Sequence, residues 1–435
     1  MIAGTASGVG KTTVATGLMA ALRARGLKVA SAKVGPDFID PGYHTLATGR
    51  PGRNLDVWLS GADTIPPLAA RAGEDTDILV IEGVMGLFDG AGSTTEASSA
   101  HVAALLDAPV VLVVDASAMS GSVAALVHGY ATFDPRLNLA GVILNRVGSE
   151  GHETLLREAI EPSGVPVVGA LRRDDNLTWR DRHLGLIPVV EHPEQARANL
   201  DRLAVAVARS VDLDRVMELA VAAPRRAVCA PPAARRVAET RIAVASGPSF
   251  SFMYPDNLEV LEQAGAEVNP FDPLHDPQLP EGARALVAGG GFPEVFAAAL
   301  ADNRPLIGDV RAKVAAGLVT WAECGGLLWL ARTLDGRPLC GVIDADARMT
   351  DRLTLGYRSA TTRTDSPLAR AGTTLKGHEF HYSITDPAGD ALALKGRFGR
   401  GRAGWASPTL LASYLHLHLA ATPELAENLV LVAAG

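Results

Sequence analysis

Cysteine is scarce in this chain: its 435 residues include three, Cys229, Cys324 and Cys340, spaced so widely that no CxxC pair exists. That spacing argues against a zinc ribbon and against a disulfide framework, and fits a reducing cytosol. Basic residues are not in excess either. Forty Lys and Arg face 48 Asp and Glu, a formal charge of -8, which gives no electrostatic reason to expect nucleic acid or an anionic membrane as partner. No apolar run approaches the roughly 20 residues of a membrane-spanning helix, and no basic segment leads into an apolar stretch at the start. A cytoplasmic protein acting on small molecules is the expectation. What is abundant is apolar and turn-forming: 48% hydrophobic residues, 44 Gly and 27 Pro, the composition of a compact globular chain too long for one core.

The segment GTASGVGKTT, Gly4 to Thr13, has the chemistry of a phosphate-binding loop feeding a helix expected to begin near Val14. Successive N–H groups around Gly8 and Gly10 can wrap a phosphate chain, with Thr13 following at the helix start. Lys11 supplies positive charge and the Thr12 hydroxyl can ligate magnesium. Thr5 stands at the first glycine position of the strict spacing, with Gly4 one residue earlier. Only three residues precede the loop, short for the central strand that should hold it, and a start placed further upstream would lengthen that strand.

Continuous apolar runs alternate with Ala-rich stretches through the first half, the pattern of a parallel sheet covered on both faces. Such a sheet presents ligand-binding groups at the carboxyl ends of its strands. Asp37 and Asp40 follow the strand expected over Leu27 to Lys33, where they can approach metal or substrate or simply cap a turn. Glu82 is the first charge after the strand Asp77 to Ile81, a place for a magnesium ligand. The loop EGVMGLFDG, with Met85 and Asp89, faces the same edge. Asn145, just past another strand, suits either adenine contact or a helix C-cap. Arg172 to Asp175 and His183 follow, and His183 fits a cleft or the surface equally.

Paired prolines and arginines between Val221 and Glu239 mark a linker. The expected domains are therefore residues 1–220 and 240–435. In the second, GLVTWAECGGLLWL reads as strand, turn and helix with Cys324 on the turn, where the N–H groups of the helix can activate a thiolate. The alternative is a buried cysteine that fills space. GGGFPE, after the strand ARALVAG, offers Gly290 and Gly291 as N–H donors to an oxyanion. An imidazole partner for the sulfur can come from His378 and His381 or from His416 and His418. The latter two share a face only on a strand.

These motifs together resemble the cobyrinic acid and hydrogenobyrinic acid a,c-diamide synthases, glutamine-dependent enzymes of corrin biosynthesis. The resemblance rests on GTASGVGKTT, KVGPDFIDPGYH, NLD, EGVMGLFDG, GGGFPE, AECGGL, GHEFHYS and SYLHLH, and spans nearly the whole length. It implies an α/β fold in two parts: a P-loop domain like dethiobiotin synthetase, with a parallel sheet, then a class I glutamine amidotransferase-like α/β domain. It implies Cys324 as nucleophile and His416 as the residue that activates it, with the N–H near Gly325 beside Gly290 and Gly291 at the oxyanion. Many class I amidotransferases carry an acidic residue two positions after the histidine; here His418 stands there, so a Cys–His pair without an acid is expected.

The resemblance further implies ATP and Mg2+, with Gly8, Gly10, Lys11, Thr12, Thr13, Lys33 and Asn145 toward the nucleotide and Thr12, Asp40 and Glu82 toward the metal. Asp37, Tyr43, His44, Met85 and Asp89 are expected at the substrate. Implied partners are L-glutamine and a corrinoid, hydrogenobyrinic acid before its metal-containing relatives, while a homodimer is left open. The rival readings are a cobyrinic acid or nickel-sirohydrochlorin a,c-diamide synthase. A third is a P-loop switching or chaperone protein with an inactive amidotransferase domain.

Overall fold

The computed structural model describes residues 1–174, 181–182, 185–223, 230–397 and 399–435. Asp175, His183 and Cys229 lie outside the described residues. The chain divides into two compact units, Met1–Pro231 and Pro232–Gly435.

The first unit is built on a seven-stranded sheet. Its strands are β1 (Ile2–Gly4), β2 (Val29–Val34), β3 (Arg53–Leu55), β4 (Ile78–Glu82), β5 (Val110–Asp115), β6 (Leu139–Val147) and β7 (Val167–Arg172). Their order across the sheet is β3-β2-β4-β1-β5-β6-β7, and every neighbouring pair is parallel. The reason lies in the residues. VVLVVD and LAGVILNRV present apolar, β-branched side chains to both faces, which only a sheet covered on each side can bury. The three-residue β1 is the central strand, flanked by β4 and β5.

Helix α1 (Lys11–Ala24) leaves β1 through the Gly-rich loop and buries ten of its residues, among them Val14, Leu18, Met19 and Leu22. It begins three residues before the expected Val14, since Lys11, Thr12 and Thr13 already have helical geometry. No side chain caps its first turn, so the leading N–H groups stay available to a ligand. Helix α2 spans Asp40–Thr48 with Pro41 in its first turn, so Asp40 lies on a helix, not in the expected loop.

The second unit has a six-stranded sheet whose central strands are Thr240–Ala245, Ala285–Ala288, Val319–Glu323 and Leu410–Ser413. Side-chain alternation distributes it between two cores. Ile242 and Val244 face Trp321, Leu429 and Val430 on one side, whereas Ala243 and Ala245 face Leu286, Leu327 and Trp329 on the other. A second sheet was not expected from the sequence. It is dominated by the antiparallel pair Ile343–Thr362 and Thr374–Asp386, to which His416–Leu417 adds as an edge. The alternating burial of Ile343, Ala345 and Ala347 between exposed Asp344, Asp346 and Arg348 is the strand signal there.

Candidate active site

Two constellations form, one in each unit. In the second, the buried strand Val319–Glu323 ends directly at Cys324, and the helix Gly325–Leu330 begins on the next residue. Cys324 takes φ +45° and ψ -98°, a conformation that costs a non-glycine residue about 1–3 kcal/mol. The sharp turn puts the sulfur at the helix N-terminus. Its backbone is tied down, because its N–H donates to the Ser413 carbonyl at 2.8 Å and its carbonyl accepts from Leu328 N–H at 3.0 Å. Small residues permit the turn: a Cβ on Gly326 would lie 2.1 Å from the Ala288 carbonyl oxygen.

His416 is hydrogen-bonded to Cys324. Its Nδ1 donates to Glu323 Oε2 at 3.3 Å, which leaves Nε2 for the sulfur. The other oxygen of Glu323 accepts the Leu417 N–H at 2.9 Å. All three side chains are almost fully buried. Burial alone would drive the imidazole toward its neutral form, but Cys324 and Glu323 outweigh it and raise the His416 pKa to about 10. The expectation of a pair without an acid therefore fails. The carboxylate comes from the residue before the nucleophile, not from two positions after the histidine, where His418 instead faces Asp256 at 3.9 Å and the Tyr254 ring.

The glycine-rich loop needs one correction. Gly290 N–H is already committed to the Phe252 carbonyl at 3.0 Å, and the Gly290 carbonyl accepts Phe252 N–H at 3.0 Å, so Gly290 does not serve as an oxyanion donor. Its importance is steric, because a Cβ there would lie 2.6 Å from His416 Cε1. Among the described residues Gly291 and Gly325 N–H groups make no such backbone bond, and a Cβ on Gly325 would lie 3.0 Å from the Gly291 nitrogen. The two residues therefore lie side by side next to Cys324, which makes their N–H groups the candidates for receiving an oxyanion. His378 packs against His416 with the rings tilted and 5.0 Å between centres. Burial, then the charge on His416, holds it well below the ordinary histidine range, which disfavours a second imidazolium. His381 packs on Tyr414 at 3.8 Å. Cys340 is buried, which pushes its thiol well up and leaves it inert.

In the first unit, the loop glycines Gly8 and Gly10 take φ +77° and +95°, values that side chains rarely adopt. A Cβ on Gly10 would also lie 2.2 Å from Asn145 Nδ2. Asn145 donates from Nδ2 to the Val9 carbonyl at 2.9 Å and accepts the Arg146 N–H at 3.0 Å. It lies within β6, not past it, so it braces the phosphate loop and caps no helix. Lys11 donates to the Ala6 carbonyl at 2.8 Å. Burial, then repulsion from Lys33, lowers its pKa to about 8.

Beside the loop lies a compact cluster of charge. Lys33 Nζ is 2.6 Å from Asp40 Oδ2 and 2.7 Å from Glu82 Oε1. The Thr12 hydroxyl donates to Glu82 Oε1 at 2.7 Å and reaches Asp40 Oδ2 at 3.3 Å. His44 Nε2 is 2.6 Å from Glu82 Oε2. Burial opposes the charges, yet the two carboxylates keep Lys33 protonated and Lys33 with His44 hold Glu82 well below the usual carboxylate range. Thr12, Asp40 and Glu82 are oxygen donors grouped at the helix N-terminus, a set that fits a hard cation such as Mg2+.

Three expected substrate residues are engaged elsewhere. Asp37 Oδ1 accepts Ile39 N–H at 2.7 Å and Asp40 N–H at 3.2 Å, the turn-capping alternative. Tyr43 is buried and its hydroxyl donates to the Ile187 carbonyl at 2.6 Å. His44 is fully buried against Glu82. Asp89 accepts Gly86 N–H at 2.8 Å and so closes its loop, while Met85 is 43% exposed at φ +48°. Among the described residues no helix is long and apolar enough to cross a membrane.

Two family models match the chain. The CobQ/CobB/MinD/ParA nucleotide binding domain covers residues 1–187, and the CobB/CobQ-like glutamine amidotransferase domain covers residues 241–424. The hydrogenobyrinate a,c-diamide synthase of Streptomyces coelicolor is 49% identical, over 99% of this chain and 96% of its own. That of Thermobifida fusca is also 49% identical, over 98% of this chain and 94% of its own. The cobyrinate a,c-diamide synthase of a Synechococcus strain is 43% identical, over 98% and 96%.

Proposed function

The chain belongs to the a,c-diamide synthase family, and from that premise we propose that it converts hydrogenobyrinic acid to its a,c-diamide, using glutamine and ATP. The metal-free corrinoid is preferred because the relatives named for it reach 48–49% identity, against 41–43% for those named for cobyrinate. The observation that carries the amidotransferase half is the strained Cys324 turn hydrogen-bonded to a buried His416.

Cys324 attacks the glutamine side-chain amide while Gly291 and Gly325 N–H groups receive the developing oxyanion. His416, held in place by Glu323, passes its proton to the departing nitrogen, so ammonia leaves and a glutamyl thioester remains. Water then attacks the thioester, glutamate departs and the thiol is regenerated. Ammonia is consumed at the other centre.

There the phosphate loop around Gly8 and Gly10 binds ATP, and Lys11 and Lys33 stabilise charge on the transferring phosphoryl group. A substrate carboxylate attacks the γ-phosphorus and ADP leaves. The resulting acyl phosphate exchanges phosphate for ammonia to give the amide, because an unactivated carboxylate has no adequate leaving group. Thr12, Asp40 and Glu82 would hold Mg2+, which supplies neutralisation of phosphate charge when bound. The exposed loop carrying Met85 and Asp89 is the proposed corrinoid contact.

The test is mass analysis after incubation with glutamine, ATP and Mg2+, with hydrogenobyrinic acid and cobyrinic acid in parallel. Two amidations of the metal-free acid, abolished by Cys324→Ala and restored by free ammonia, are the expected result. ATP turnover with neither corrinoid amidated would overturn the reading in favour of a switching protein.

A further inference from the structure

The structure assigns a role to His44: we infer that it is a positioning residue, clamping one oxygen of Glu82 so that the other is presented to Thr12 and the metal. The inference rests on the ATP and Mg2+ reading of the first unit.

His44 is fully buried, so it cannot touch a substrate at the surface of the sheet. Its place on α2 is four residues after Asp40, which sets both side chains on one face of the helix. Asp40 reaches Lys33 and Thr12 from that face, and His44 reaches Glu82. One helical turn thereby addresses both carboxylates of the cluster.

Glu82 divides its two oxygens. Oε1 accepts from Thr12 and Lys33, each at 2.7 Å, and Oε2 faces only His44 among the bonds described, at 2.6 Å. A carboxylate can only accept, so His44 Nε2 carries the hydrogen. The backbone after Glu82 is fixed separately, by Gly83 N–H on the Ile2 carbonyl and Val84 N–H on Ser99 Oγ, both at 2.8 Å. The remaining freedom is the terminal torsion of the carboxylate, which is intrinsically soft. His44 fixes it from the Oε2 side, as Thr12 and Lys33 do from Oε1.

The other ring nitrogen supports the same conclusion. Among the described residues His44 Nδ1 is buried with no hydrogen-bond partner, and leaving a buried polar atom unsatisfied is unfavourable. An apolar side chain of similar size would avoid that cost. What it would lose is the bond from Nε2 to Glu82.

The test uses the full chain with Mn2+ as probe, in the presence of a non-hydrolysable ATP analogue, reading free Mn2+ by electron paramagnetic resonance. Partners of metal ligands typically change metal affinity about 10- to 100-fold. His44→Leu is therefore expected to weaken Mn2+ binding by about tenfold or more, and His44→Gln, whose amide N–H can reach the same oxygen, to recover most of it. Thermal melting of each variant reports on folding alone. If His44→Leu fails to fold, His44→Asn, with an arm too short to reach Glu82, takes its place in the comparison. Equal Mn2+ affinity in wild type and His44→Leu, equal loss in the Leu and Gln variants, or no Mn2+ binding by the wild type would each overturn the inference. A wild type that binds Mn2+ with nucleotide yet amidates no corrinoid would overturn the functional reading and leave this one standing.

Discussion

Glu323 and His416 lie 93 residues apart in sequence and 3.3 Å apart in space, carboxylate to Nδ1. The bond fixes the imidazole with Nε2 toward Cys324 and compensates the positive charge formed when the histidine takes a proton. The same carboxylate accepts Leu417 N–H, so it also ties the histidine-bearing strand to the strand that ends at the nucleophile.

Glu323→Gln keeps size and some hydrogen bonding but removes the charge. Replacing the orienting acid of a catalytic triad by its amide can cost up to about 10⁴-fold. Glutamine-dependent amidation is expected to fall by about 100-fold or more, while amidation with free ammonia persists. Steady-state rates with the two nitrogen donors decide it: equal loss with both would mean that Glu323 supports the fold and not the thiol.

Gly290→Ala tests whether that glycine acts by space or by its N–H. The added methyl would meet His416 Cε1 at 2.6 Å, and the fully packed ring has little room to yield. Cys324 alkylation by iodoacetamide and glutaminase turnover are both expected to drop by about tenfold or more, because a displaced imidazole no longer activates the sulfur. Unchanged rates would show that the ring shifts freely and that Gly290 has no steric duty.

How much of this was legible before the fold is clearest at particular residues. The runs VVLVVD and LAGVILNRV announce buried parallel strands because both faces are apolar, and Cys324 stands out as a polarizable nucleophile between a strand and a helix. Glu323 was visible as part of ECGG but carried no signal of its role, since its partner comes from a strand 93 positions away. A charged residue closing an otherwise buried strand was the available hint. The donor assigned to Gly290 failed for a similar reason: whether an N–H is spent depends on Phe252 across an isolated bridge. The place of Tyr43 and His44 after a ligand-edge strand points to substrate contact, but helix α2 turns both side chains inward.

His416 also makes a pH prediction with a definite sign. Its pKa is raised from the ordinary value near 6.5 to about 10, despite opposing burial, by Cys324 and Glu323. The stabilisation is therefore fully present below about pH 6.5 and lost as pH rises through about 10. His378 faces the same ring and stays neutral, and Arg358 pairs with the nearby Glu379 at 2.6 Å. The difference in unfolding free energy between wild type and His416→Asn should shrink between pH 7 and pH 10 in denaturant titrations. A difference constant over that range would mean that the histidine is neutral in the folded protein.

The Lys11 pKa is shifted in the opposite direction. Burial, followed by repulsion from Lys33, lowers its pKa to about 8, so above that pH the free protein carries much of it as the neutral amine. Bound phosphate favours the ammonium form. ATP binding is therefore expected to take up a proton at pH 9 and close to none at pH 6.5, and its affinity should weaken as pH rises past 8. Calorimetry at each pH in two buffers with different ionisation enthalpies measures the uptake directly. Lys11→Arg, a permanent cation, should abolish the uptake at pH 9 whatever it does to affinity. Proton uptake that survives this replacement would place the titrating group elsewhere in the nucleotide site.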